Sequence, residues 1–185
     1  QSPRLKIILL RVFLFFLQST ALIALLPLVA KRLHGGGPGT FTVMLACLGL
    51  GAILAALRFP HWRARYSRDQ FVLVGTLVQA ALSVLIVFVP AWWLALPPMA
   101  LVGMAWISAA NSLTISAQMA LPDWVRARGM SIYQMALMGG AAAGSLLWGQ
   151  VASWVNVPAS VAASSAVGVL MLVVLQRLDF FINVF

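Results

Sequence analysis

The sequence predicts an all-α integral membrane protein, a bundle of six transmembrane helices. Three observations predict it. The chain is 63% hydrophobic and only 8% charged, with a mean hydropathy of +1.01, whereas a soluble domain carries roughly a quarter of charged residues. The apolar residues gather into six runs, each near the ~20 residues that a helix needs to cross the hydrocarbon core. The basic residues lie between those runs and favour one side of the membrane. The 185 residues hold one such bundle, residues 1–185, and leave no room for a second large domain.

The spans follow in order: Ile7–Ala30, Thr40–Leu57, Gln70–Val89, Trp93–Met119, Met130–Trp154 and Pro158–Leu175. Their length excludes the short alternating segments of a membrane β-barrel. Gly35-Gly36-Gly37-Pro38-Gly39, Pro60, Pro90, Pro122 and Pro158 are read as breaks between spans, and Pro27 as a bend in the first. Pro97 and Pro98 are read as first-turn residues or a kink of the fourth span, where the missing N–H does least harm. Trp92, Trp93 and Trp154 stand at span ends, where indole rings favour the membrane interface. The chain opens on Gln1, and the expectation is that it is cut from a longer protein.

Of twelve Lys and Arg, ten lie on one side of the predicted membrane: Arg4, Lys6, Arg11, Arg58, Arg63, Arg65, Arg68, Arg126, Arg128 and Arg177. Only Lys31 and Arg32 lie on the other. The positive-inside rule makes the ten-residue side cytoplasmic, with both termini there. The net charge of +9 is thereby used for orientation, and nucleic acid is not an expected partner.

No Asp, Glu, Lys or His falls near the middle of a span. An intramembrane charge commonly marks a proton or ion path, so a titrating carboxylate is not expected in this chain. No HExxH, GxSxG or P-loop occurs, so no enzymatic activity is expected. A lone Cys47 and the distant His34 and His61 give no metal site, and no cofactor is expected.

Uncharged polar residues do enter the spans. Gln18, Ser19 and Thr20 cluster in the first. In the fourth, Ser108, Asn111 and Gln118 share a stripe less than about 90° wide at 100° per residue. At any one residue an interhelical hydrogen bond is the plainer reading. The stripe as a whole is read as the wall of a substrate cavity, because long amides away from a partner need water or ligand. Gln79 is read as structural. Cys47-Gly51-Ala55 and Ala136-Gly140-Gly144 form small-residue faces for close helix packing. In this chain alone those faces are expected to stand unpaired. Ser131 and Tyr133 are read as helix-start and interface residues.

The run NSLTISAQMALPDWVRARGMSIY, Asn111 to Tyr133, resembles the connection between the tenth and eleventh helices of the major facilitator superfamily. The closest likeness is to the subgroup that includes the enterobactin exporter. MGGAAAGSLLWGQVA, Met138 to Ala152, is similar to its glycine-rich eleventh helix. The resemblance implies helices seven to twelve of a twelve-helix secondary transporter, each half two inverted three-helix repeats. It further implies a missing N-terminal six-helix half as partner, a small-molecule substrate, and alternating access. Efflux by antiport, of an amphiphilic drug or siderophore type and across a bacterial inner membrane, is the expected form. In that family the seventh and tenth helices line the cavity, here the first and fourth spans. RFPHWRARYSRD, Arg58 to Asp69, matches the family's basic signature in its arginines but lacks the usual glycine and leading aspartate. Arg58, Arg63, Arg65, Arg68, Asp123, Arg126 and Arg128 are therefore gating-loop candidates, with an orienting role equally open for the first four. A stand-alone six-span protein that dimerises as a pore or transporter, or a non-transporting scaffold, are the alternatives.

Overall fold

The computed structural model describes residues 3–33, 35–63 and 66–184. His34 and Arg65 lie outside the described residues, as does the side chain of Arg63. Six helices account for almost all of the rest: α1 Pro3–Arg32, α2 Pro38–Arg63, α3 Arg68–Phe88, α4 Leu96–Met119, α5 Arg126–Trp154 and α6 Val157–Val184. Each is long and apolar enough to cross a membrane. With no water in hydrocarbon to meet backbone N–H and C=O groups, the intrahelical ladder is what permits these segments to span.

Local chemistry sets the ends. Ser67 and Gln70 form a capping box at the start of α3: Gln70 N–H donates to Ser67 Oγ at 3.3 Å, and Ser67 N–H donates to Gln70 Oε1 at 2.9 Å. These satisfy two N–H groups that the helix itself leaves orphaned. Asn156 Oδ1 does the same for α6, accepting from Ala159 N–H at 2.8 Å. Pro97 and Pro98 fall in the first turn of α4, behind a short 3-10 turn over Trp92–Ala95.

Two boundaries correct the sequence reading. Pro60 does not end α2, which continues through it to Arg63. Proline costs one ladder bond, and here the loss falls within an exposed helix end, beside Leu57 and Arg58. α5 starts at Arg126 rather than Met130, so Arg126 and Arg128 stand in a helix and not in a connection.

The helices pair in a regular way. α1 lies along α5 and α4 lies along α2, while α3 and α6 meet each other and flank α4 and α1 respectively. Exchanging α1 with α4, α2 with α5 and α3 with α6 returns the same pairs, as two three-helix repeats would require. Small residues permit the two main seams. A Cβ on Gly51 would meet the Ala100 carbonyl of α4, and one on Gly103 the Leu48 carbonyl of α2. A Cβ on Gly140 or Gly144 would meet the carbonyls of Phe13 and Leu17 on α1. The expectation that these faces stand unpaired is therefore corrected: both are filled from within the chain, α2 by α4 and α5 by α1.

Two apolar clusters make the core. One gathers Leu22, Leu26, Met44, Met99 and Val161 toward the α1–α2 connection. The other gathers Val12, Phe16, Leu113 and Tyr133 toward the end that carries most arginines. Tyr133 is buried and its hydroxyl lies 2.9 Å from Thr114 Oγ1, which corrects its reading as an interface residue.

Candidate functional site

α4 carries the longest run of polar side chains, and the structure sorts them by where they find hydrogen bonds. Ser112, Thr114 and Ser116 donate to the carbonyls four residues back, at 2.9, 2.8 and 2.8 Å. Such back-bonding satisfies a hydroxyl inside its own helix, so these three need no ligand. Asn111 cannot do this with both ends of its amide. It is half-buried, and Gln118 is exposed. Neither amide has a hydrogen-bond partner among the described residues.

The reason is the angular position of these residues. Ala105, Ala109 and Leu113 face the bundle, and Gly103 meets α2. On the remaining side lie Leu101, Met104, Ile107, Asn111, Ile115 and Gln118, none of them buried. This is an open, mostly apolar face of α4 with Asn111 at membrane depth. Gln118 stands one residue before the end of the helix at Met119, so it belongs to the arginine-bearing end and not to the middle of the face.

The structure buries the other predicted cavity residues more deeply than this face. Ser108 is buried and lines a groove of about 530 Å³ between α3 and α4, together with Tyr66, Gln70 and Gly75 and, from the edge of the open face, Leu101 and Met104. Gln18 and Ser19 are buried inside the bundle. Gln18 lies against Gly168 of α6, inside the bundle and away from the open face of α4. Gln79 donates from Nε2 to the Ser19 carbonyl at 3.4 Å, an interhelical contact.

At the arginine-bearing end, Asp123 and Arg126 form an ion pair. Arg11 of α1 reaches Asp69 of α3 at 3.3 Å. Arg58 and Arg128 are exposed, and Arg68 is half-buried. No group of His, Cys, Asp and Glu able to hold a metal ion occurs among the described residues.

Sequence reasoning missed Trp148. Its indole N–H donates to the Leu17 carbonyl at 2.8 Å, and its own carbonyl accepts from Ser160 Oγ at 2.7 Å. One buried residue thus ties α5 to α1 and α6. The signal was a Trp four residues after Gly144, on the small-residue face itself.

The family model described as transmembrane secretion effector, of the major facilitator group, matches residues 1–182. No curated protein matches the chain.

Proposed function

The chain belongs to the transmembrane secretion effector family, a family of major facilitator transporters and not of enzymes, and on that premise we propose that it forms the C-terminal six-helix half of an exporter. In this reading the open face of α4 lines a cavity completed by an N-terminal half. A small amphiphilic molecule of drug or siderophore type, as in the enterobactin-exporter subgroup, rests against Leu101, Met104 and Ile107. Asn111 supplies the polar contact. Alternating access carries the molecule out of the cell, in exchange for an ion.

The single observation that carries the reading is Asn111: an amide at membrane depth, on an apolar face, with no hydrogen-bond partner among the described residues. An amide kept in hydrocarbon without a partner is costly, and water or substrate in a cavity removes that cost. The distribution of arginines supports placing both termini in the cytoplasm; the membrane in this reading is a bacterial inner membrane. Lipid is then the solvent for the outer faces of α3 and α6.

The test is Asn111→Leu in the full-length transporter, with transport and melting temperature measured together. Weakened transport at unchanged stability is the expected result. Unchanged transport sinks the reading. The six-helix chain alone in liposomes is expected to carry no flux, since half of the cavity wall is then missing; flux there favours a self-dimerising pore.

A further inference from the structure

Between the two apolar clusters of the core lies a polar layer that the transport reading does not use. Gln18 and Ser19 of α1 and Gln79 of α3 are 5%, 2% and 3% exposed. The Gln79 amide is fixed against α1 by its bond from Nε2 to the Ser19 carbonyl. Gly168 of α6 makes room for the Gln18 amide: a Cβ there would fall 2.6 Å from Gln18 Oε1. The three helices therefore meet around three neighbouring polar side chains.

One polar atom on each of these side chains is buried with no hydrogen-bond partner among the described residues: Gln18 Nε2, Ser19 Oγ and Gln79 Oε1. Turning the Gln79 amide over does not help, because it would set an oxygen against the Ser19 carbonyl. In a bundle surrounded by lipid no bulk solvent reaches such groups, and each unmade bond weighs against the fold.

The three atoms differ in kind, and the difference identifies the ligand. Gln18 Nε2 only donates, Gln79 Oε1 only accepts, and Ser19 Oγ does both. A cation would find only neutral groups here and no carboxylate to offset its charge inside the membrane. An anion finds no basic side chain in this layer. A small molecule that both donates and accepts fits all three. We propose that the α1–α3–α6 junction binds one water molecule, accepting from Gln18 Nε2 and Ser19 Oγ and donating to Gln79 Oε1. Three bonds are about the number that a buried water makes in a folded protein. The water joins α1, the helix that α5 covers on its other side, to the α3–α6 pair. The site is independent of what the protein transports.

Nuclear magnetic resonance on the full-length protein in lipid nanodiscs, with ¹⁵N-labelled glutamine, tests this directly. A cross-peak between the Gln18 side-chain amide and a slowly exchanging water is expected. It is lost in the triple variant Gln18→Met, Ser19→Ala, Gln79→Met, which removes all three polar groups and so leaves none unpaired. Gln79→Met alone is expected to melt lower than the triple variant, because it strands the other two. A direct cross-peak between the Gln18 and Gln79 amides without a water signal overturns the proposal. So does a rise in melting temperature with sodium but not potassium that the triple variant loses, which would make the ligand a cation. A single variant more stable than the triple one also overturns it.

Discussion

α1 and α4 are both polar in sequence near their centres, yet they treat that polarity in opposite ways. On α4 the hydroxyls bond back into the helix and the amides turn outward. On α1 the amide and hydroxyl turn inward and are sealed by α3 and α6. The difference lies in the neighbours. α1 has α5 along one side, held by Gly140 and Gly144, and α6 along another. α4 has α2 and α3 but leaves an open strip between them. Polarity within a span therefore does not say which way a side chain faces; the neighbouring helices decide that.

The comparison can be broken most severely by removing the cover from α1. Gly144→Leu places a side chain into the Leu17 carbonyl, and overpacking of this kind costs about 3 kcal/mol. Loss of monodisperse protein on size exclusion is expected. Gly149→Leu is the control, because nothing lies within 4 Å of a Cβ there, and it should fold normally. If both variants behave alike, the seam does not hold α1.

Asn111→Leu sharpens the other side of the comparison. Loss of one ligand hydrogen bond is worth about 1 kcal/mol, so KM for the substrate should rise five- to tenfold, by roughly 1.4 kcal/mol per tenfold. The melting temperature should stay put. Trp148→Phe keeps a six-membered aromatic ring and deletes the pyrrole N–H that reaches Leu17. Thermal unfolding should register about 0.6 kcal/mol, the usual worth of an interhelical bond in a membrane protein. The smallest effect is expected from Arg126→Gln. An exposed ion pair with Asp123 contributes at most about 0.5 kcal/mol, and chemical denaturation should barely resolve it.

The existence and order of all six helices were legible, because hydrocarbon demands long apolar runs and leaves little else to choose. Their partners were not. The glycine faces were visible at every fourth position, but spacing says only that something packs closely, and not that α5 receives α1. Helix continuation through Pro60 was hidden for a similar reason: whether a lost ladder bond breaks a helix depends on where its end projects. For the site, 100° spacing puts Asn111 and Gln118 on one face, and neither is buried. It also admitted Ser108, which is buried and lines the groove between α3 and α4. For Gln18 and Ser19, periodicity gave no direction at all, since the neighbours that bury them are about 60 and 150 residues further along the chain.

The arginine-bearing end holds a conflict between two electrostatic rules. Arg68 opens α3, and Arg126 and Arg128 open α5. A helix start carries about half a positive charge from its aligned peptide dipoles, and cations there are unfavourable by roughly 0.3–1 kcal/mol each. Membrane orientation asks for positive charge at the very places where helix electrostatics resists it. Two of the chain's three acidic residues stand at those starts: Asp69 in the first turn of α3 and Asp123 just ahead of α5. Asp69 also draws in Arg11 from the third turn of α1. The carboxylates thus let the chain keep its orienting charges while neutralising the helix ends on which those charges had to be placed.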